Sequence, residues 1–210
     1  MSGRGRFIAL EGGEGTGKST QARLLADALA VRGIDCVTTR EPGGTPGAEA
    51  IRTLLLDPAL PQWQPAAEAL LFAAARSDHV AHLIEPALAG GRWVICDRFI
   101  DSSLAYQGAA GGLGETTIRV LHSAGSNGLL PDLTILLEAG SQAIAARLRA
   151  RDGDVADKIG GRGAAFHEAV AEGFSRLADA EPARFRRIDA TGSPDAVHAL
   201  ILDALSDVLP

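Results

Sequence analysis

A glycine-rich segment that directly follows a short apolar run is the feature that most constrains how this chain folds. Phe7–Glu11 has the composition of a buried β-strand, and Gly12–Ser19 then reads Gly-Gly-Glu-Gly-Thr-Gly-Lys-Ser. The segment fits the spacing G-x-x-x-x-G-K-[S/T], and apolar residues recur at helical spacing over residues 24–29. A strand, such a loop and a helix in this order predict a cradle of backbone N–H groups for phosphate oxygens.

Each residue type in the loop has a physical role in holding a nucleotide. Glycines let the backbone pass close to phosphate oxygens, because no side chain intervenes. The ammonium of Lys18 is predicted to reach the β- and γ-phosphates, and the hydroxyl of Ser19 to ligate Mg²⁺. The loop indicates nucleotide binding but does not specify the reaction that follows. The expected donor-binding residues are Gly12, Gly13, Glu14, Gly15, Thr16, Gly17, Lys18 and Ser19.

Short β-type runs alternate with longer helical patterns along the chain. Together with the loop, this alternation predicts an α/β P-loop NTPase fold, in which helices flank a parallel five-stranded sheet. Gly33 is a predicted helix C-cap, a short helix is expected at Ala48–Leu56, and Ser193 is expected to begin a terminal helix. We expect residues 1–210 to form a single domain. The predicted strands are Phe7–Glu11, Asp35–Thr39, Trp93–Asp97, Leu133–Glu138 and Phe185–Asp189.

The composition argues against several other classes of protein. Hydrophobic residues make up 46% of the 210 residues, which is enough for a sizeable core and disfavours disorder. The formal net charge is −6 without a long run of one sign, so we expect no nucleic-acid partner. No apolar stretch approaches the roughly 18 residues of a membrane helix. No long apolar segment follows Met1–Arg6, so we expect no signal peptide there. We therefore expect a cytoplasmic protein without a membrane partner.

Cysteine and histidine give no indication of a metal centre. Cys36 and Cys96 lie in short apolar runs and are predicted to be buried strand thiols without a disulfide. The five histidines show no metal-binding spacing with cysteine, so we expect surface or helix-capping positions for them. They stand at positions 79, 82, 122, 167 and 198.

Asp97 and Arg98 follow the predicted strand Trp93–Asp97 at its carboxyl end. Ligands of open α/β sheets bind beyond this end of the strands, so both side chains are expected to face the loop Gly12–Ser19. Asp97 is predicted to hold Mg²⁺ directly or through water, and Arg98 to clamp a phosphate with two hydrogen bonds. A structural ion pair at a strand end is the alternative interpretation.

Phe72 and Arg76 lie four residues apart in a helical stretch and therefore share one face. An aromatic ring stacks on a nucleobase, and an arginine donates hydrogen bonds to a base carbonyl. The alternative is a core aromatic residue beside a surface charge.

A basic, glycine-containing segment is a candidate lid. Residues 147–162 carry five basic residues, and glycine stands at positions 153, 160 and 161. We predict a mobile lid at about residues 147–163, with an ordinary solvated loop as the alternative. Lysine occurs in the chain at positions 18 and 158 alone, so one lysine falls in the phosphate loop and the other in the predicted lid.

Several blocks in addition to the loop resemble bacterial thymidylate kinases, and they occur in the family's order across nearly the whole chain. The resemblance implies ATP- and Mg²⁺-dependent phosphorylation of dTMP to dTDP in dTTP biosynthesis, by a homodimer. The matching blocks are Glu11–Ser19, Thr39–Thr45, Leu71–Arg76, Asp97–Gly108, Pro131–Thr134 and Ile188–Ala190.

The resemblance also implies a role for each residue that matches the family's motifs. Phe72 would stack on thymine, Arg76 would bond its O4 edge, and Ser103 and Gln107 would lie along the base. Tyr106 would sit near the sugar and favour deoxyribose. Other matching residues would lie around the acceptor's phosphate and sugar. Arg98 and Arg52 would approach the acceptor phosphate, and Glu14 and Glu41 would lie on the sugar side.

The lid departs from the family pattern. Bacterial members place a catalytic arginine in the lid, within Asp-Arg-Phe/Ile-Glu, whereas residues 157–160 here read Asp-Lys-Ile-Gly. The loop Gly12–Ser19 contains no arginine, so the lid is expected to supply the catalytic cation. We favour Lys158, which would act as a point charge because lysine lacks arginine's planar fork. Arg149, Arg151 and Arg162 are the alternatives.

The chemistry expected of such a site is positioning and charge neutralisation. The acceptor is a phosphate monoester with a second pKa of about 6, so its oxygen is a competent nucleophile without a general base. Lys18, Arg98 and Lys158 are the expected catalytic cations. Rival hypotheses are a kinase for another nucleotide or nucleoside, a GTP-binding switch and an inactive nucleotide-binding module. The switch is disfavoured because such proteins use an Asn-Lys-x-Asp motif, and Asn127, the only asparagine, precedes glycine.

Overall fold

The computed structural model describes residues 3–140, 144, 147 and 161–209. Within them, five parallel strands form one sheet in the order β2-β3-β1-β4-β5, which confirms the predicted fold class. Four strands have the predicted bounds, and β2 begins and ends one residue later than predicted. The strands are β1 (Phe7–Glu11), β2 (Cys36–Arg40), β3 (Trp93–Asp97), β4 (Leu133–Glu138) and β5 (Phe185–Asp189).

Helices connect the strands and cover the sheet. Among the described residues, two π-helical segments, Val80–Ile84 and Leu104–Ala110, follow α3 and α5 respectively. The α-helices whose bounds the structure describes are α1 (Lys18–Val31), α2 (Pro46–Leu56), α3 (Pro65–His79), α4 (Glu85–Ala89), α5 (Ile100–Ser103), α6 (Glu115–Ser126), α7 (Ala164–Ala180) and α8 (Pro194–Ala204).

Local sequence signals determine several helix ends. Gly33 adopts a φ of 73° directly after α1, and its N–H donates to Ala30 O, as expected of a glycine that ends a helix. The Ser193 side chain accepts from Ala196 N and begins α8, as predicted. Helix α2 begins at Pro46, two residues before the predicted start, because the Thr45 hydroxyl accepts from Ala48 N and proline suits the first turn.

Two apolar clusters pack on opposite faces of the sheet. Along β1, Phe7 and Ala9 belong to one cluster, whereas Ile8 and Leu10 belong to the other, as the alternation of a strand requires. Burying each large apolar side chain stabilises the fold by about 1.5–3 kcal/mol. Helices α1 and α8 pack on the Ile8 face, and α7 packs on the Phe7 face. The central strand is therefore fixed from both sides, and the loop that follows it starts from a rigid position.

Two predictions about buried residues are wrong. Cys96 is buried as predicted, but Cys36 is half-buried because β2 is an edge strand; both thiols are free. His79 and His122 are buried rather than surface residues. The Nε2 of His122 lies 2.7 Å from Leu129 O, and burial lowers the pKa of this imidazole. None of the helices in the described part of the chain is long and apolar enough to cross a membrane.

Candidate active site

A cavity of about 650 Å³ opens at the carboxyl ends of β1 and β3. This is the position at which open α/β sheets bind their ligands. One side of the cavity is formed by the loop between β1 and α1, and the opposite side by residues of α2, α3 and the segment after β3. The cavity therefore joins the phosphate loop to the other residues selected from the sequence.

The loop Gly12–Ser19 has the geometry of a phosphate cradle. Gly12, Gly15 and Gly17 have φ values of 133°, 70° and 93°, which side chains rarely tolerate. A Cβ on Gly12 would lie 2.3 Å from Leu137 O, so this position also excludes a side chain by contact with β4. The loop thus depends on glycine both for its backbone conformation and for its close approach to the sheet.

Lys18 lies at the first position of α1 and is buried. Its Nζ donates to Gly12 O and Gly13 O at 3.1 and 2.7 Å, so the ammonium lies within the curve of the loop. Burial, together with the nearby guanidinium of Arg98, lowers the pKa of Lys18 to about 8. An anion bound in the loop would favour the charged form of this lysine.

Ser19 and Asp97 form a hydrogen-bonded pair of oxygen-bearing side chains beside the loop. The Ser19 hydroxyl donates to Asp97 Oδ2 at 2.5 Å. Adjacent ligands of an octahedral Mg²⁺ lie about 2.9 Å apart. These two oxygens are therefore close enough to bind the same ion after a small shift. In the described part of the chain, no group of three or more His, Cys, Asp or Glu residues could hold a metal. The donor set therefore fits an ion that shares its remaining ligands with phosphate and water.

Arg98 lies between the loop and the opposite wall. Its φ of 71° is unusual for a residue with a side chain, and such strain is commonly held at functional sites. Its guanidinium donates to Gly12 O at 3.0 Å and to Glu14 Oε1 at 2.6 Å, and it lies over the Tyr106 ring. Burial alone would lower the pKa of Arg98, but Tyr106 and Glu14 raise it, so the side chain remains a cation.

Glu11 holds the backbone around Arg98 in place. This carboxylate is fully buried at the end of β1. It accepts hydrogen bonds from Phe99 N at 2.8 Å, from Ser102 N at 3.0 Å and from the Ser102 hydroxyl at 2.6 Å. Burial, and then the nearby carboxylate of Asp101, raise the pKa of Glu11 to about 7. Sequence analysis missed this role because Glu11 looks like the last residue of an apolar strand.

Arg76 extends from α3 into the opposite wall and is itself buried. Its Nε donates to Glu41 Oε2 at 2.7 Å, and its Nη2 donates to Ser103 Oγ at 2.9 Å and to Phe99 O at 3.3 Å. Glu41 lines the cavity, as do Arg76 and Ser103. These contacts fix the plane of the guanidinium. They involve Nε and Nη2 but not Nη1.

His79 completes this buried network from behind. Its Nδ1 lies 3.1 Å from Glu41 Oε1, and its Nε2 lies 2.7 Å from the Thr39 hydroxyl. A Cβ on Gly44 would lie 2.4 Å from the Thr39 hydroxyl oxygen and 2.5 Å from His79 Nε2, which explains why glycine occupies that position. Both oxygens of Glu41 are therefore engaged, one by Arg76 and one by His79. The three-residue spacing of Arg76 and His79 on one helix was the available sequence signal.

Phe72, Tyr106 and Gln107 line the same wall. Tyr106 is buried, and burial raises the pKa of its phenol. Gln107 Nε2 donates to Glu68 Oε1 at 2.9 Å. The second oxygen of Glu68 accepts from Arg162, which lies just before α7. Glu68 is a second buried carboxylate that the sequence analysis did not select.

Two further arginines lie at the edge of the cavity. Arg52 donates from Nη1 to Pro42 O at 2.6 Å, and Arg147 donates from Nη2 to Gly192 O at 3.1 Å. Both line the cavity. Most of the predicted lid, including Lys158, Arg149 and Arg151, lies outside the described residues. Arg162 is described, and its contact with Glu68 places it behind Gln107.

The structure thus brings most of the described candidates to one cavity. Gly12 and Gly13 contribute backbone carbonyls that accept from Lys18 and Arg98. The predicted residues that line the cavity itself are Glu14, Gly15, Thr16, Gly17, Lys18, Ser19, Glu41, Arg52, Phe72, Arg76, Asp97, Arg98, Ser103, Tyr106 and Gln107.

Known proteins are similar to this chain in both sequence and fold. A family model described as thymidylate kinase matches residues 10–201. A thymidylate kinase of Rhizorhabdus wittichii is 58% identical over 98% of this chain and 99% of its own length. One from Gluconobacter oxydans is 49% identical and covers 100% of this chain and 98% of its own length. The crystal structure of thymidylate kinase from Ehrlichia chaffeensis matches with a TM-score of 0.79 at 30% identity, covering 96% and 99% of the two chains.

Proposed function

The chain belongs to the thymidylate kinase family and phosphorylates dTMP to dTDP in dTTP biosynthesis, and from this premise we propose that ATP with Mg²⁺ is the phosphoryl donor. The observation that carries the proposal is the placement of two different surfaces across one cavity. A glycine loop with a buried ammonium faces a wall that contains an aromatic ring and a fixed guanidinium.

The loop side suits the triphosphate of the donor. Backbone N–H groups at the start of α1 and the ammonium of Lys18 offer positive charge to the β- and γ-phosphates. We assign Ser19 and Asp97 as the residues that would hold Mg²⁺, on the grounds of their 2.5 Å contact. When bound, the ion would neutralise part of the charge on the phosphate oxygens.

The opposite wall suits a pyrimidine nucleotide. We propose that Phe72 stacks on the thymine ring and that Arg76 donates to its O4 edge, with Ser103 and Gln107 along the base. Stacking and hydrogen bonding then act on different features of the base, its face and its edge. The hydrogen bonds from Arg76 to Glu41 and Ser103 support this assignment, because they hold the guanidinium in one plane.

The acceptor phosphate and sugar would lie between the base wall and the loop. We assign the phosphate to Arg98 and Arg52, and the sugar side to Tyr106, Glu14 and Glu41. Both oxygens of Glu41 already contact Arg76 and His79, so Glu41 also positions Arg76 for the base. The contact between Arg98 and Gly12 O supports the phosphate assignment, because it places this cation beside the donor loop.

Phosphoryl transfer in such a site needs alignment and charge neutralisation. An oxygen of the dTMP phosphate attacks the terminal phosphorus of the donor in line, and the bond to the bridging oxygen of ADP breaks. The attacking oxygen is already anionic near neutral pH, so no general base is required. Lys18 and Arg98 stabilise the charge that develops on the transferred group.

We propose Lys158 as a further catalytic cation, on the resemblance of residues 157–160 to the family's lid motif. Lys158→Met should lower kcat by about tenfold to a hundredfold. Lys158→Arg should keep kcat near the wild-type value, because charge is the property required. Arg149→Met and Arg151→Met serve as the comparison. A loss of kcat in one of these variants, with none in Lys158→Met, would transfer the role to that arginine.

We also propose that the chain acts as one domain, forms a homodimer and works in the cytoplasm. Leu54, Leu70 and Val120 support the dimer, since they are exposed apolar side chains on three neighbouring helices, α2, α3 and α6. Exposed apolar side chains grouped in this way are typical of a protein–protein contact. The free thiols of Cys36 and Cys96 suit a reducing compartment.

A substrate panel tests the proposed function. ADP release from ATP is measured with dTMP, dCMP, dGMP and AMP as acceptors, with and without Mg²⁺. We expect release to depend on Mg²⁺ and to be highest with dTMP. Equal or higher turnover of another monophosphate would instead support a kinase for a different nucleotide, and ATP hydrolysis without an acceptor dependence would contradict the proposed role.

A further inference from the structure

Glu68 lies on the same face of α3 as the two residues assigned to the base. It stands four residues before Phe72 and eight before Arg76, which places all three along one side of the helix. Its side chain is buried, and its two oxygens contact different partners. Oε1 accepts from Gln107 Nε2 at 2.9 Å, and Oε2 accepts from Arg162 Nη2. Glu68 therefore links Gln107 of the cavity wall to Arg162, which lies just before α7.

The contact with Glu68 determines how the Gln107 amide is oriented. An ionised carboxylate only accepts hydrogen bonds, so the amide must turn its NH₂ group toward Glu68. The carbonyl oxygen of Gln107 is then the acceptor that remains, and Gln107 lines the cavity. Thymine presents one N–H between two carbonyl groups, and cytosine presents an unprotonated ring nitrogen at that position. A fixed carbonyl suits the first base and opposes the second.

Arg162 is held on the base side of the molecule. Besides its ion pair with Glu68, its guanidinium lies 4.6 Å from the centre of the Phe166 ring. Phe166 in turn lies 6.1 Å, centroid to centroid, from Tyr106 of the cavity wall. These contacts engage Arg162 behind Gln107 and Tyr106, so the guanidinium is committed to Glu68 rather than to a phosphate group.

We infer that Glu68 is a positioning residue that sets the Gln107 amide for a keto pyrimidine, and that Arg162 serves to hold Glu68 rather than to act as the catalytic cation. This inference rests on the proposed function, because it concerns the same acceptor site. It also identifies Glu68 and Arg162 as a specificity-determining pair that supports the residues in contact with the base. Glu68 would act through Gln107, without touching the substrate.

Steady-state kinetics of single variants at Glu68 and Arg162 test the inference. For Glu68→Gln and Arg162→Met, we expect the KM of dTMP to rise by about tenfold while kcat stays within about threefold, because binding is lost equally in ground and transition states. The KM of ATP should not change. Glu68→Gln should also lower the ratio of kcat/KM for dTMP over dCMP by about tenfold, because its amide no longer fixes one orientation of Gln107.

Arg186→Met is the matched control. Arg186 also pairs with a carboxylate, Asp207, and its side chain is 27% exposed, close to the 30% of Arg162. Neither arginine lines the cavity, and they differ in that Arg162 pairs with Glu68, the partner of Gln107. Its kinetic constants should equal those of the wild type. The double variant Glu68→Gln/Arg162→Met should be no worse than Glu68→Gln alone, because Arg162 acts only through Glu68.

Three results would overturn the inference. They are a fall of kcat by a hundredfold in Arg162→Met with an unchanged KM, additive losses in the double variant, or wild-type constants and selectivity in Glu68→Gln. Arg162→Met removes a partly exposed side chain, so it should fold even if Glu68→Gln does not, and its KM then decides the matter. If the wild type itself showed no dTMP-dependent ADP release, the proposed function would fail instead.

Discussion

The two sides of the cavity are built in different ways. The donor side is one continuous segment, Gly12–Ser19, that offers backbone N–H groups, one ammonium and one hydroxyl. The acceptor side draws side chains from distant segments, and its polar side chains Arg76 and Gln107 are each fixed by a buried carboxylate. Arg76 contacts Glu41 over 35 residues of sequence, and Gln107 contacts Glu68 over 39. The donor site depends on backbone conformation, whereas the acceptor site depends on buried charges.

The difference predicts how each side tolerates substitution. Backbone groups survive most changes of side chain, so the loop should fail at Lys18 or at glycines such as Gly12. On the acceptor side, removing one member of a buried charge pair leaves the other uncompensated, which typically costs about 3–5 kcal/mol. Substitutions at Glu41 or Arg76 should therefore affect stability and dTMP binding together.

Lys18→Ala should give the largest loss of activity and so tests the donor side. We expect kcat to fall by about a thousandfold or more, because the buried ammonium stabilises the charge of the transferred group. The measurement is ADP release with saturating dTMP, with circular dichroism to confirm folding. Near wild-type turnover in the folded variant would show that the loop binds nucleotide without contributing to the transfer.

Arg98→Lys should have the next largest effect and tests the boundary between the two sides. Lysine keeps the charge but cannot contact Gly12 O and Glu14 with one planar group. We expect kcat/KM for dTMP to fall by about a hundredfold, while the KM of ATP changes little. If lysine supported full activity, charge alone would be sufficient at position 98.

The same contrast explains how much the sequence could predict. The loop was located to the residue because its eight positions are contiguous and its spacing is specific. Four of five strands were also placed correctly, since buried apolar runs bounded by turns have clear ends. Glu11, Glu68 and His79 were missed because their partners are far apart in sequence. Composition and spacing carry no signal for a contact such as that of Glu11 with Phe99 N, 88 residues away.

Glu11 allows a smaller, pH-dependent test of the buried charges behind the acceptor side. Its pKa rises from 4.5 to about 7 in the folded chain, so the folded state retains a proton that the unfolded state loses. The stability that Glu11 contributes is therefore complete below pH 4.5 and is lost as the pH rises through 7. Relative to Glu11→Gln, wild-type stability should fall by up to about 1.4 kcal/mol per pH unit in this window.

Urea unfolding of both proteins at several pH values between 4.5 and 7.5 measures this slope. Glu11→Gln should give the flatter profile, since a glutamine does not titrate. Parallel profiles for the two proteins would show that Glu11 is ionised throughout. The hydrogen bonds from Phe99 and Ser102 would then stabilise the charged carboxylate by more than burial destabilises it.

The central claim is that one loop holds the donor and a separate wall of side chains holds the acceptor. Calorimetric titration of wild type, Lys18→Ala and Phe72→Ala with ATP and with dTMP tests it most directly. Lys18→Ala should weaken ATP binding by at least about tenfold and leave dTMP within about threefold, whereas Phe72→Ala should do the reverse, because base stacking is worth about 1–3 kcal/mol. Equal loss of both nucleotides in either folded variant would contradict the account.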